Sequence, residues 1–574
     1  MLKRHISAAL MIGTALATMA PPLPALPALP AFAGEPGGTG VAASTARSVS
    51  AAGSTSTAGS VFTAGSASTT GSVFTAGSAA KAASAGRSDA TPDDGTLDDG
   101  TLDDGTLDDG TCPVVDGTAA RCGEITVPLI RARPSAGTTR IAYALLPRTD
   151  TGRPAAGTIV AVPGGPGNAA IPFAEIFAKD MKALRGDHDL LLVDPRGTGA
   201  SQPDDCGVPA NFDLLPRDRQ ITEVGACGRR LGARARGYTS AELADDLDAV
   251  RERLGIGKVD LYGVSYGTYL STVYAVRHPD RTRSVVLSGA YPLRFDTLGR
   301  PNAQAVGQAL QRLCARSGGA CQGDEAIGNL KRLATRLRQT PIPFEIEVSG
   351  RRQTLELDEG MLALIHFYMA SSGGTPRIWT ELPAAVAEAV SGDTTAIVAV
   401  AKQVGEALAS PTPEALAARA QALSIVCNDY PTVWNRRSAV PGRTAAFNKA
   451  LRRAEGEFGP FSARGWTAAV MDGADMCLKW PRTDGPADPG PAPDVPVLVL
   501  SGDLDTNTPV SQGRLTAAQF PAATFVEVPS AGHVPTWEET GCAARLASTF
   551  IRTGSTGDRS CLRSIPSLPV RPAH

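Results

Sequence analysis

One serine in this chain lies in a setting that could make it a nucleophile. The segment 258–268 is a short apolar run that ends in Gly263-Val-Ser265-Tyr-Gly267 and leads at once into helix-forming residues. A serine on a sharp strand-to-helix turn needs glycine neighbours, because backbone and substrate approach closely there. A chain with 61 glycines can produce this pattern by chance. The serine is therefore meaningful only if a base and an orienting acid accompany it.

The base that such a serine requires can be narrowed to one histidine. Where the nucleophile stands on this kind of turn, the chain order is serine, then acid, then histidine. Of the six histidines, two precede the serine, one is the last residue, one ends the helix after the serine and one lies in an apolar helical run. His533 remains, in a loop of small residues that leaves an imidazole free to reach across. The other five are His5, His188, His278, His366 and His574.

The acid that would orient this imidazole should follow the preceding strand. The apolar run 495–500 leads into Ser-Gly-Asp503-Leu-Asp505-Thr-Asn-Thr-Pro. We prefer Asp505, because it lies further into the loop and precedes a Thr-Pro pair that would start the next helix. Asp503 can instead satisfy local backbone groups. Asp296 is a third candidate, since it lies beyond the strand that follows the serine turn.

Acyl transfer also needs two backbone N–H groups aimed at the developing oxyanion. Tyr266, the residue after the serine, can supply one of them. The other should come from the Pro-Gly-Gly-Pro-Gly loop at 163–167, which follows an apolar strand. Pro166 has no N–H, so Gly164 and Gly165 are the candidates, and we favour Gly165.

Strands and helices alternate through the region that carries these residues. Several strand candidates are near-continuous apolar runs, which is typical of a parallel sheet covered on both faces. The clearest helix candidate is 239–254, where Thr239 and Glu242 form a capping box and Gly255 can end the helix. The pattern predicts an α/β fold with a mostly parallel sheet. The strand candidates are 125–130, 140–146, 158–162, 189–193, 259–262, 284–287, 495–500 and 524–528.

A long insertion separates the last two of these strands from the others. Residues 293–493 are mainly helical in pattern, and a segment of this length needs structure of its own. We expect it to form a large helical cap over the strand ends, where sheets of this type bind their ligands. The predicted core therefore consists of 112–292 and 494–565, and a short tail, 566–574, follows it.

The first 111 residues differ from the rest in composition. Residues 1–33 have a basic start, an apolar stretch and the small-residue site Ala31-Phe-Ala33, which is typical of a secretory signal peptide. The apolar stretch is shorter than a membrane span needs. Residues 34–111 repeat SVFTAGSA and Thr-Leu-Asp-Asp-Gly, which predicts a disordered, solvated linker. Such a linker could hold the rest of the chain near a cell wall.

All ten cysteines follow residue 111, and an even number in an exported chain suits disulfides. Sequence proximity favours pairing neighbours, although sequence alone does not fix connectivity. No C-x-x-C or H-E-x-x-H occurs, so we expect no metal and no cofactor. A net charge of −2 offers no basic surface for nucleic acid. The neighbouring pairs are Cys112–Cys122, Cys206–Cys227, Cys314–Cys321, Cys427–Cys477 and Cys542–Cys561.

Together these motifs resemble those of α/β-hydrolases of the prolyl aminopeptidase and tripeptidyl aminopeptidase family. The resemblance covers nearly all of 112–561 and adds the segment Asp194-Pro-Arg-Gly-Thr-Gly-Ala-Ser201 to those already named. It implies an α/β-hydrolase fold with Ser265, Asp505 and His533 as the catalytic triad.

The resemblance also implies a function: a secreted serine exopeptidase that releases short peptides, with tripeptides expected, from free N-termini through an acyl-enzyme. Pro163 stands where prolyl aminopeptidases usually have histidine, which favours the secreted tripeptidyl aminopeptidases. The family binds the substrate's amino terminus with acidic side chains from the cap region. Asp429 is our candidate for this role, and a surface role for it is equally open.

Peptides with a free N-terminus are then the expected partners, and we expect neither nucleic acid nor a membrane span. Two other functions stay open. A secreted carboxylesterase or lipase would use the same groups on esters. A non-catalytic cell-surface protein would account for the long repetitive linker.

Overall fold

The computed structural model describes residues 112–348, 350–470, 473–486 and 490–573. The predicted signal peptide, 1–33, and the predicted linker, 34–111, lie outside the described residues. Within the described ranges, every helix is too short or too polar to cross a bilayer.

Eight strands form one central sheet: β1 (Arg121–Pro128), β2 (Thr138–Leu146), β3 (Gly157–Val162), β4 (His188–Val193), β5 (Val259–Val264), β6 (Thr282–Ser288), β7 (Val497–Gly502) and β8 (Ala523–Val528). Their order across the sheet is β8-β7-β6-β5-β3-β4-β2-β1. Strands β3 to β8 run parallel to one another, and β2 is antiparallel to both of its neighbours. The predicted α/β fold with a mostly parallel sheet is confirmed.

Helices surround this sheet. Those of the core are α1 (Ala174–Asp180), α2 (Arg217–Leu231), α3 (Ser240–Arg253), α4 (Tyr266–Arg277), α14 (Val510–Ala517) and α15 (Cys542–Thr553). Those between β6 and β7 are α5 (Arg300–Ala315), α6 (Gly323–Gln339), α7 (Glu359–Leu364), α8 (Leu382–Ser391), α9 (Thr395–Ala409), α10 (Pro413–Ala417), α11 (Arg419–Asp429), α12 (Val440–Arg453) and α13 (Ala463–Ala469). Helix α3 begins as its capping box predicts, because the Thr239 side chain accepts a hydrogen bond from the Glu242 N–H.

Both faces of the sheet are covered, which explains the apolar runs in its strands. In β3, Val160 and Val162 pack into one apolar cluster, whereas Ile159 and Ala161 pack into another on the opposite face. Residues of α3 and α4 belong to the first cluster and residues of α1 and α15 to the second. Strand β1 lies at the edge and begins at Arg121, four residues before the predicted start. Its first residues are polar and pair with β2, so an apolar pattern could not reveal them.

The region between β6 and β7 is mainly helical but also contains a β-hairpin, Ile342–Val348 with Arg351–Leu357. The sequence analysis did not predict this hairpin, whose first strand alternates glutamate with apolar residues. A π-helical turn, Ile365–Met369, follows α7. Trp379 and Trp466 from this region share one apolar cluster with Leu287 of the sheet. The inserted region therefore packs continuously with one face of the core.

The disulfides follow the pairing of neighbours. All five predicted pairs are confirmed, and the described residues include no free cysteine. Their Cα–Cα distances run from 4.7 to 5.9 Å, within the ordinary range for a disulfide. The longest sequence separation is 50 residues, between Cys427 and Cys477.

Candidate active site

Ser265 lies on the turn between β5 and α4, with φ 53° and ψ −122°. Its N–H donates to the Ser288 carbonyl at 3.0 Å, which holds the turn against the end of β6. The flanking glycines are required by space. A Cβ on Gly263 would lie 2.4 Å from the Gly267 carbonyl oxygen, and one on Gly267 would lie 2.1 Å from that of Val162. Ser265 is partly exposed on this sharp turn.

His533 follows β8 and reaches the serine. Its Nε2 lies 2.8 Å from Ser265 Oγ. Its Nδ1 lies 3.0 Å from Oδ2 of Asp505, which follows β7. The side chains of His533 and Asp505 are buried. Strands β5, β7 and β8 thus bring three residues that are far apart in the chain into one hydrogen-bonded row.

Further donors surround the Asp505 carboxylate. Oδ1 accepts from the N–H groups of Asn507 at 2.8 Å and Thr508 at 2.9 Å. Oδ2 accepts from Thr508 Oγ1 at 2.6 Å, and the same hydroxyl lies 3.1 Å from His533 Nδ1. Burial by itself would raise the pKa of Asp505, but the facing His533 and the hydrogen bonds from His533 and Thr508 outweigh it. Its pKa is therefore held below the ordinary value, and the carboxylate is ionised at neutral pH.

The glycine loop 163–167 lies directly against the serine. A Cβ on Gly164 would stand 3.1 Å from Ser265 Cβ. Gly165 has φ +105°, a conformation that favours glycine. Tyr266 is the first residue of α4, so its N–H has no acceptor within the helix. The fold therefore brings the loop with Gly165 and the start of α4 with Tyr266 to the same serine.

The other two acid candidates form different contacts. Asp503 accepts from the Ser530 N–H at 2.8 Å and pairs with Arg316. Asp296 accepts from the Leu298 N–H at 3.0 Å and pairs with Arg300 at 2.5 Å. Within the described ranges, neither carboxylate is hydrogen-bonded to a histidine.

Two other histidines that follow the serine are also engaged elsewhere, and His574 lies outside the described residues. His278 Nε2 lies 2.9 Å from Asp245 Oδ1. His366 is buried in the π-helical turn, with Nδ1 2.8 Å from the Leu362 carbonyl oxygen. Burial lowers its pKa to about 4, although the bond to Leu362 opposes the shift. It is therefore a neutral, packed side chain.

Asp429 is not a surface residue, so the surface role left open above is wrong. Its side chain is buried because α11 ends against the start of α3, where Oδ2 accepts from the Ser240 N–H at 2.5 Å. Ser240 Oγ in turn lies 2.8 Å from the Tyr266 hydroxyl. Burial raises the pKa of Asp429 to about 6, against the hydrogen bonds from Ser240. Among the described residues it has no hydrogen bond to Ser265, His533 or Asp505.

Sequence reasoning missed the contribution of Thr508. It noted the Thr-Pro pair only as a helix start, whereas the side chain contacts both Asp505 and His533. No cluster of three or more metal-ligating side chains occurs in the part of the chain that the structure describes.

Two family models match the segments that carry these residues. The model of the alpha/beta hydrolase fold matches 157–316, which contains the glycine loop and the serine turn. The chain has the α/β-hydrolase fold. A second model, described as TAP-like protein, matches 462–561, which contains the loops of Asp505 and His533.

Several named relatives of this chain are peptidases. It is 32% identical to a tripeptidyl aminopeptidase of Streptomyces lividans over 189 residues, which is 29% of this chain and 34% of the relative. It is 25% identical to serine protease Hip1 of Mycobacterium tuberculosis over 470 residues, 76% of this chain and 86% of the relative. A proline iminopeptidase of Neisseria meningitidis is 30% identical over 146 residues, 25% of this chain and 36% of the relative. The match thus spans about a third of the length of the Streptomyces relative. These relatives confirm the resemblance to the tripeptidyl and prolyl aminopeptidase family.

Proposed function

We propose that this α/β-hydrolase is a secreted serine exopeptidase that releases short peptides, tripeptides above all, from free N-termini. The hydrogen-bonded row of Ser265, His533 and Asp505 carries the proposal. The names of the relatives, which include a tripeptidyl aminopeptidase and a serine protease, support peptides as the substrates.

The hydrogen-bonded row supports an acyl-enzyme mechanism with the following steps. Ser265 Oγ attacks the scissile carbonyl carbon while His533 Nε2 accepts its proton, and Asp505 stabilises the imidazolium that forms. The N–H groups of Tyr266 and Gly165 bind the oxyanion. When the intermediate collapses, His533 returns the proton to the leaving amine. A water molecule then repeats the sequence on the acyl-enzyme and releases the peptide.

Five disulfides support export to an oxidising compartment. Export through a signal peptide at 1–33 belongs to the same proposal, as does a tether at 34–111 near the cell wall. Edman sequencing of the protein from culture medium tests it, and we expect the mature N-terminus at Gly34. Recovery only from the cytoplasm, with Met1 retained, would contradict secretion.

For the substrate's amino terminus we propose Asp429. Its carboxylate is buried beside the side chain of Tyr266, the residue that follows the nucleophile. Asp429→Asn should raise KM for peptides with a free N-terminus at least tenfold and leave KM for N-acetylated substrates unchanged. An equal change for both substrates would assign Asp429 to the support of α3 alone.

A fluorophosphonate probe and a substrate panel test the proposed activity together. The wild type should react with the probe, and Ser265→Ala should not. Ser271→Ala is the matched control. Ser271 lies in α4, the helix directly after Ser265, and its buried hydroxyl has no hydrogen-bond partner among the described residues. In the panel, tripeptide release from free N-termini should exceed the turnover of blocked peptides and simple esters.

Two outcomes would overturn the proposal. Much faster turnover of esters than of free peptides would identify a carboxylesterase. A folded wild type that the probe does not label would identify a non-catalytic protein.

A further inference from the structure

The loop that carries Asp505 forms hydrogen bonds through both its N–H groups and its carbonyl groups. Asp505 Oδ1 accepts hydrogen bonds from the N–H groups of Asn507 and Thr508. These N–H groups belong to two successive peptide groups, whose carbonyl oxygens are those of Thr506 and Asn507. In a trans peptide group the N–H and C=O point in opposite directions. The carbonyls are therefore directed away from the carboxylate and need donors of their own.

Asn302 supplies both donors. It lies on α5, the first helix of the inserted region, 204 residues before Thr506. Its Nδ2 donates to the Thr506 carbonyl at 3.0 Å and to the Asn507 carbonyl at 2.6 Å. An amide nitrogen carries two hydrogens, so both are used. The side chain is 5% exposed.

The orientation of this amide is fixed as well. Gln512, at the start of α14, donates from Nε2 to Asn302 Oδ1 at 3.0 Å. This bond requires the oxygen of Asn302 to face Gln512 and its nitrogen to face the loop. Gln512 is also buried, so neither partner has water as an alternative.

Each peptide group in the loop thus accepts a hydrogen bond from Asn302 and donates one to Asp505. Hydrogen bonds arranged in series polarise and orient one another in a buried setting. The loop is also tied to the inserted region through Thr506 Oγ1, which lies 2.8 Å from the His366 carbonyl oxygen. That carbonyl belongs to the π-helical turn.

We propose that Asn302 is a positioning residue that sets the orientation of the Asp505 carboxylate through these two peptide groups. The inference rests on the proposed function, in which Asp505 orients His533. It assigns to the inserted region a part in placing the proposed catalytic acid.

Asn302→Leu removes the two donors and keeps the same branched arrangement of heavy atoms. We expect kcat for a free tripeptide substrate to fall about tenfold, with KM within about twofold of the wild-type value, because the substrate is bound but the base is poorly oriented. Gln304→Leu is the matched control. It lies on the same helix and donates to a backbone carbonyl, that of Glu457, but this bond stays within the inserted region. Its kcat should equal that of the wild type.

A double-mutant cycle separates positioning from simple stabilisation. The readout is the rate constant of fluorophosphonate labelling of Ser265, which needs only one turnover. If Asn302 acts through Asp505, Asn302→Leu should slow labelling about tenfold in the wild type and not at all in Asp505→Asn. The same loss in both backgrounds, or a lower Tm with unchanged kcat, would overturn the inference.

If Asn302→Leu does not fold, Gln512→Leu tests the same role of Asn302. It leaves Asn302 in place and removes only the donor that orients the amide, so we expect a loss in kcat of about twofold to fivefold. An unchanged kcat would overturn the inference. The proposed function fails separately: an unlabelled wild type refutes it, whereas a labelled wild type with an unaffected Asn302→Leu refutes only the role of Asn302.

Discussion

Thr508 supplies two of the four hydrogen bonds that the Asp505 carboxylate accepts, one from its N–H and one from its hydroxyl. Because the hydroxyl donates to Asp505, its lone pair faces His533 Nδ1 at 3.1 Å. The Nδ1 proton thus has two acceptors, which favours the tautomer with Nε2 free to accept the proton of Ser265.

Thr508→Val should therefore lower kcat about tenfold and leave KM within about twofold, because a hydrogen bond to an ionised carboxylate is worth about 1.5 kcal/mol and about 1.4 kcal/mol corresponds to a tenfold change in rate. Thr508→Ser keeps the hydroxyl and should restore most of the activity. Steady-state kinetics on a tripeptide substrate would measure both variants. An unchanged kcat in Thr508→Val together with a loss in Thr508→Ser would show that the methyl group matters and the hydroxyl does not.

At the scale of elements, a buried polar network joins the segment after His533 to β5, the strand that leads into Ser265. The 3₁₀ turn Pro535–Trp537 follows His533 directly. Tyr262 in β5 lies with its hydroxyl 2.7 Å from both Thr536 Oγ1 and Asp180 Oδ2. Trp537 Nε1 donates to the same carboxylate oxygen at 2.8 Å. The network links β5, α1 and the segment that follows His533.

Asp180 makes this network sensitive to pH. Burial raises its pKa to about 7, although hydrogen bonds from Tyr262 and Trp537 oppose the shift. An aspartate in the unfolded chain has a pKa of about 4, so the folded protein binds this proton more tightly. The contribution of Asp180 to the free energy of unfolding is thus complete below about pH 4 and declines as pH rises to about 7.

Asp180→Asn should abolish this decline. Relative to the wild type, the variant should gain stability between pH 4 and pH 8, by at most roughly 4 kcal/mol for a shift of about three pKa units. Urea unfolding at several pH values would measure it. Glu175→Gln, an exposed change on the same helix, is the control and should follow the wild type. A parallel pH dependence of Asp180→Asn and the wild type would contradict the prediction.

The elements also indicate what sequence can and cannot predict here. All eight sheet strands could be predicted. Burial on both faces makes the inner strands continuous apolar runs, whereas the edge strand β1 is partly exposed and was predicted to begin four residues too late. Ser265, His533 and Asp505 could be singled out because each follows a predicted strand in a fixed chain order. Asn302 gave no signal, since its role depends on a contact across 204 residues that no local pattern encodes. The hairpin after α6 was missed because its strands are partly exposed and rich in charge.

At the scale of the whole molecule, the inserted region and the sheet share an apolar cluster and unfold, we expect, as one unit. The disulfides close loops of very different length in the chain. Cys427–Cys477 joins α11 to the segment before β7 across 50 residues, whereas Cys314–Cys321 closes a loop of only 7 residues at the end of α5.

Chain entropy predicts that the longer disulfide contributes more to stability. Closing loops of these two lengths in the unfolded chain corresponds to about 4 and about 2 kcal/mol, respectively. Replacing both cysteines of Cys427–Cys477 by alanine should therefore lower the free energy of unfolding by about 2 kcal/mol more than the same replacement of Cys314–Cys321. Denaturant unfolding of the two double variants at one pH would give the difference, with m values checking that both still unfold in one transition. Equal losses, or a larger loss for the short loop, would mean that packing around the sulfur atoms outweighs the entropy of the unfolded chain.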